Sequence, residues 1–199
     1  MKQINLSVWW TVLRALHARV VAHIATAAIV TIAALTTLAG CSSTQPEAYR
    51  AETPVLELER YFSGTVDGWG MLQDRSGKVL RRFVVRIECK WDGATGTLDE
   101  DFTWSDGERE RRVWTITKGD NGRYIGRAAD VVGEAVGVAA GNALNWRYVL
   151  RLPEKQGGYQ VNLDDWMVLV DADTLLNRAV ISKFGLRFAE ITIAFRKRK

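Results

Sequence analysis

From about residue 58 onward, turn signals interrupt β-prone runs at short, regular intervals. That rhythm constrains the fold more than any other feature of the chain. The signals are Asp74-Arg75-Ser76-Gly77, Asp92-Gly93, Asp106-Gly107, Asp120-Asn121-Gly122, Gly141-Asn142, Gln156-Gly157-Gly158 and Asp171-Ala172-Asp173. No long helical pattern lies between them, so no crossover helix is available to make strands parallel, and successive strands must pair as antiparallel hairpins. Alternation is clearest at 83–91, where Phe83, Val85, Ile87, Cys89 and Trp91 share one face and Arg86, Glu88 and Lys90 the other. It recurs at Leu144, Trp146, Tyr148, Leu150 and Leu152 against Asn145, Arg147 and Arg151. The expected fold is all-β: an up-and-down meander of about eight to ten strands that closes into a barrel and so removes its own edges. A barrel of this size either fills with side chains or holds one small ligand.

The segment Leu98 to Ile116 fixes a register. Ser105-Asp106-Gly107 suits a three-residue hairpin loop with Gly107 in the left-handed region. Trp104 then faces Glu108, Phe102 faces Glu110, Glu100 faces Arg112 and Leu98 faces Trp114, which gathers Leu98, Phe102, Trp104, Trp114 and Ile116 on one face. A two-residue Asp106-Gly107 turn would scatter them over both faces, so the first register is preferred. Its consequence is that Glu100 and Arg112 lie opposite each other on the apolar face. Either they satisfy each other as an internal ion pair, or Arg112 offers its fork to the carboxylate or phosphate of an otherwise apolar ligand.

Asp165 is the second inward candidate, because Tyr159, Val161, Leu163, Met167 and Leu169 share its parity; a bulge would instead turn it outward. Gly133, Ala135, Gly137, Ala139 and Gly141 form a run of small residues of one parity. As a strand this run has a bare face against which a ligand or a bulky tryptophan can pack. The glycines also recur at four-residue spacing, but glycine weakens helices, and the strand is preferred. The ligand-facing set is therefore Glu100, Arg112, Asp165, Trp104, Trp114 and Trp146. Cys89 reads as a small buried hydrophobe.

Upstream, Lys2, Arg14 and Arg19 precede an apolar run from Ile24 to Ala39 that ends in Leu38-Ala39-Gly40-Cys41. This is the pattern of a secretory signal cut before a cysteine that receives lipid. Val20 to Gly40 could instead span a bilayer, but the small residues, the cysteine and the polar stretch that follows favour cleavage. The expected organisation is a signal peptide over 1–40, an acylated Cys41 with a flexible tether to 57, and one β-domain over 58–199.

Cleavage removes three of the 27 Lys and Arg and no Asp or Glu, leaving 24 basic against 23 acidic residues. Nucleic acid is not expected as a partner. Both histidines, His17 and His23, depart with the signal. Metal sites built on histidine and histidine-dependent nucleophiles go with them, so no metal or cofactor is expected.

Gly68-Trp69-Gly70, Leu98-Asp99-Glu100-Asp101-Phe102, Ser105-Asp106-Gly107-Glu108, Arg112-Val113-Trp114, Gly133-Glu134-Ala135, Gly141-Asn142-Ala143, Asp164-Asp165-Trp166 and Lys183-Phe184-Gly185 together resemble domain-of-unknown-function family 3833. The resemblance covers nearly all of 58–196. It implies a Gram-negative envelope lipoprotein, often encoded near enzymes that modify membrane fatty acids, with no accepted activity. Gly68-Trp69 is also similar to the start of lipocalins, which implies a lipocalin or calycin-like barrel, although the chain ends in a strand and Arg196-Lys197-Arg198-Lys199 rather than in their usual helix. That basic tail is either solvated or a contact for anionic head groups. Ser42 after the cysteine resembles the sorting pattern of outer-membrane lipoproteins, which places the domain in the periplasm.

Three functions suit these observations: a carrier or binder of a lipid or other hydrophobic ligand; an enzyme acting on a modified membrane fatty acid through a buried carboxylate, Glu100 or Asp165; and a structural envelope protein with a filled barrel. The first is preferred.

Overall fold

The computed structural model describes residues 44–199; the expected signal peptide and Cys41 lie outside the described residues. Ten strands follow one another, β1 Gly64–Asp74, β2 Val79–Asp92, β3 Thr95–Trp104, β4 Arg109–Lys118, β5 Arg123–Arg127, β6 Val131–Ala140, β7 Ala143–Arg151, β8 Gln160–Leu169, β9 Thr174–Lys183 and β10 Leu186–Lys197. Each pairs antiparallel with the next, and β10 returns to β1, so the sheet closes into a barrel. The expected meander is therefore the observed one.

All seven turn signals fall at hairpins. Two further hairpins carry no such signal. The β5–β6 connection, Ala128-Ala129-Asp130, contains neither glycine nor proline. The β9–β10 turn places Phe184 at φ 51 before Gly185 at φ 76, a left-handed geometry that a phenylalanine seldom adopts. The Ser105-Asp106-Gly107 loop has the expected three residues, with Gly107 at φ 86, and the ladder pairs Phe102 with Glu110, Glu100 with Arg112 and Leu98 with Trp114.

The two ends of the barrel differ. At the end where β1, β3, β5, β7 and β9 begin, the short helix α1, Leu58–Tyr61, lies across the opening. Leu56, Leu58, Tyr61 and Phe62 are no more than 3% exposed, and each apolar side chain buried this way stabilises by roughly 1.5–3 kcal/mol. The cap is pinned by polar contacts to the strands. Trp91 Nε1 donates to the Phe62 carbonyl at 2.8 Å, and Tyr61 Oη donates to the Asp173 carbonyl at 3.1 Å. Tyr124 Oη donates to Glu59 at 2.9 Å, and Lys118 also pairs with Glu59. At the other end the inward side chains Leu72, Phe102, Trp104, Trp114, Leu150 and Ile191 all remain partly exposed. The barrel is capped below, and across its upper, open end no described element lies.

One expectation about the chain's margins is corrected. The stretch read as a tether to residue 57 packs on the barrel from Pro46 onward. Pro46 is buried in a 3-10 turn over Pro46–Tyr49, Tyr49 packs on Trp166 with ring centroids 5.9 Å apart, and the Leu56 amide donates to the Gly141 carbonyl at 2.8 Å. Gly141 is required there, because a Cβ at this position would lie 1.7 Å from the Tyr49 carbonyl oxygen. Proline and polar residues suggested a linker, yet Tyr49 and Leu56 supply enough apolar surface to hold it. The basic tail lies at the surface, as a solvated tail would, with ion pairs to the barrel: Arg198 pairs with Asp67 at 2.6 Å, Lys199 with Asp173 at 3.4 Å, and Lys197 Nζ donates to the Arg60 carbonyl at 2.5 Å.

Candidate functional site

The β3–β4 register sets Glu100 and Arg112 side by side facing the barrel interior. Asp165 is inward too and only 8% exposed, so no bulge turns it out. Tyr148 from β7 and Asn177 from β9 complete the ring, both buried. Trp114 and Trp146 stack beside them, ring centroids 6.4 Å apart, and Trp114 meets Tyr148 edge-on at 5.6 Å. The small-residue run explains how two tryptophans fit. β6 is a strand, and a Cβ on Gly137 would sit 2.8 Å from the Trp146 ring. Ala135 and Gly137 face inward, whereas Gly133, at φ +75, lies in a bulge and leaves that face.

The electrostatics differ from a simple ion pair. Glu100 makes no hydrogen bond or ion pair with Arg112. The guanidinium instead donates from Nε to Asp130 Oδ1 at 3.0 Å and lies over Trp114, 4.5 Å from the ring centroid. Its Nη2 is buried and has no hydrogen-bond partner among the described residues. The reading of Glu100 and Arg112 as a self-satisfied pair is thus corrected. Asp130 sits in the β5–β6 connection, and its own carbonyl accepts the Arg151 amide at 2.8 Å, so it reaches Arg112 from a rigid support.

Burial pushes the Glu100 carboxyl up to about 7, with Arg112 opposing and the Asp130, Asp165 and Glu110 charges reinforcing the rise. Burial likewise pushes Asp165 up to about 6, against a hydrogen bond donated by the Asn177 amide. Tyr148 is pushed far upward, chiefly by burial and then by the Asp165 charge. It therefore stays protonated as a hydrogen-bond donor. The site thus offers an Arg N–H without an acceptor among the described residues, a phenol O–H and two carboxyl groups that gain protons near neutrality, all against aromatic walls. Such a set can hold an acceptor-rich head on an apolar body, or exchange a proton with a bound molecule.

Trp104 stands apart, nearer the open end. There it stacks under Arg81, 4.1 Å from ring to guanidinium, and donates from Nε1 to Glu110 at 3.2 Å. Arg81 is tied to Asp106 at 2.7 Å and Glu108 at 2.9 Å, and Phe83 packs on Trp104 at 4.9 Å. Of the residues singled out from sequence, Glu100, Arg112, Asp165, Trp114 and Trp146 come together, while Trp104 belongs to the rim. Sequence reasoning placed Tyr148 on the inward face without counting it in the site, and missed Asp130 and Asn177. Strand parity would have found Asn177; Asp130 carried no signal. Among the described residues, no three His, Cys, Asp or Glu side chains cluster as metal ligands would.

A family model described as "Protein of unknown function (DUF3833)" matches residues 35–197. No curated protein matches the chain in sequence. Solved structures match its shape. The S-type phycobiliprotein lyase CPES of Guillardia theta superposes with TM-score 0.54 at 7% identity, covering 78% of this chain and 99% of that one. Rv2717c of M. tuberculosis gives 0.52 at 13%, covering 74% and 99%. A protein of unknown function of the DUF3598 family, from Nostoc punctiforme, gives 0.52 at 14%, covering 74% and 51%. At these identities the likeness shows a shared lipocalin-like barrel fold.

Proposed function

The chain belongs to the DUF3833 family, and within that family of unknown function we propose that it binds or carries an amphiphile in its barrel, apolar body between the tryptophans and polar head at Arg112. One observation carries this reading: a buried guanidinium N–H with no acceptor among the described residues faces the interior of a barrel whose upper end no described element covers. Leaving such a donor unsatisfied costs about 1–3 kcal/mol, and a bound head group would recover it. The leader pattern and Ser42 support an outer-membrane lipoprotein held through Cys41 and facing the periplasm.

Native mass spectrometry of protein purified gently from membranes tests the proposal. A co-purifying amphiphile that is lost in Arg112→Ala supports it; an empty barrel in the unmodified protein overturns it.

A second reading rests on Glu100. A carboxyl raised to about 7 suits a general acid or base acting on a modified lipid. Turnover of a candidate lipid that disappears in Glu100→Gln would select this reading over simple carriage.

A further inference from the structure

The barrel wall is incomplete on one side. β5 has only five residues; it pairs with β4 from Thr115 to Lys118 and with β6 from Ala135 to Val138. Above it, Arg109 to Trp114 of β4 and Val131 to Glu134 of β6 have no ladder partner among the described residues on the sides that face each other. The ten-strand closure therefore holds through β5 only in the lower half; in the upper half no ladder joins β4 to β6 among the described residues, and this unladdered gap is the slot.

Three features bear on this slot. The β6 bulge at 133–135 lies opposite Tyr148, so the lip of the slot bends at the level of the buried polar ring. Val113 and Val132, the outward residues beside it on β4 and β6, are exposed at 39% and 37%. The Arg112 contact to Asp130 at 3.0 Å, in the Ala128-Ala129-Asp130 connection that bridges the gap, runs from one side to the other. Lower down, Arg127 pairs with Glu134 within the β5–β6 side and does not cross the slot.

Resting on the ligand-binding reading above, we infer that this slot is the doorway by which an amphiphile with an anionic head, carboxylate or phosphate, enters the barrel, and that Arg112 passes from Asp130 to that head as it does so. Arg112 suits the exchange because its Nε is committed to Asp130 while its Nη2 is not. An incoming anion can engage Nη2 first and then displace the aspartate, so the guanidinium is never stripped of acceptors. The open end offers a poorer path, since Arg81, Trp104, Asp106 and Glu108 are cross-tied there.

Stopped-flow binding of two probes to the full chain, a fluorescent long-chain carboxylic acid and a fluorescent lysophospholipid ending in a phosphate monoester, tests this. Asp130→Asn is expected to raise the association rate at least threefold for the probe whose head matches the natural ligand. Asp130→Glu, which can re-form the contact, should restore the slow rate, and Asp106→Asn at the open end should leave it unchanged. Acceleration by Asp106→Asn and not by Asp130→Asn would overturn the doorway while leaving the ligand-binding reading intact. Wild-type binding of neither probe would overturn both. Equal melting temperatures of the three variants would show that the rates do not report unfolding.

Discussion

Glu100 lies directly across the β3–β4 ladder from Arg112, yet Arg112 gives its hydrogen bond to Asp130, eighteen positions away, at 3.0 Å. The chain has placed an acid beside a base without pairing them. The acid pays in ionisation, and its carboxyl rises to about 7.

That rise makes stability depend on pH. A carboxyl with a higher pKa folded than unfolded holds its proton more tightly in the native state. Its contribution is complete below its ordinary 4.5 and is lost as pH climbs through about 7. The difference is on the order of 3 kcal/mol. Glu100→Gln should therefore melt higher than the unmodified protein at pH 8 and about equally at pH 4.5, with residual dependence from Asp165 between 3.8 and about 6. Thermal melts across that range, compared at each pH, would check it; parallel curves for the two proteins would refute it.

Gly137→Ala should cost about 1–3 kcal/mol, the usual range for overpacking a core, because its Cβ would stand 2.8 Å from Trp146. Displacing that ring should also shift the intrinsic tryptophan emission. Gly77→Ala tests a different effect: its Cβ has open space, but φ is +88, so it should lower stability through backbone strain alone and leave the emission in place.

Cys89 should be inert in the folded protein. Burial pushes its thiol up to about 12, with the Glu100 and Glu88 charges adding to the effect, so almost no thiolate is available to react. Iodoacetamide followed by peptide mass analysis should find Cys89 unmodified under native conditions and alkylated in denaturant.

Leu58→Ala should loosen the closed end. The side chain is 1% exposed within the cap, and truncations of this kind cost about 2–5 kcal/mol. Hydrogen exchange should rise first at Leu56 to Phe62 and at the lower ends of β5 and β9, which the cap touches through Tyr124 and Asp173.

The barrel itself was legible in the chain because a two-residue period and glycine-bearing turns are local signals. A correct three-residue loop at 105–107 was enough to set every pair from Phe102 to Leu98. What lay beyond reach was long-range. Asp130 sits in a connection with no glycine or proline, and nothing local marks it as the partner of Arg112. Tyr49 and Leu56 looked like linker residues because their packing surfaces, Trp166 and the Gly141 carbonyl, lie 85 or more positions away. The side chains that build the site were readable; the ones that decide how its charges balance were not.

The packed segment at 46–57 sets the length of the leash. Five residue steps separate Cys41 from the buried Pro46, a reach of at most about 18 Å when fully extended. An acyl group on Cys41 would therefore act as a mooring rather than a long tether, and it would hold the domain by the flank where Pro46–Tyr49 meets β6. β6 is also one lip of the slot. The segment meets that strand at its other end, beside Gly141, so it braces the closed end of the barrel rather than the half of the wall that carries the slot.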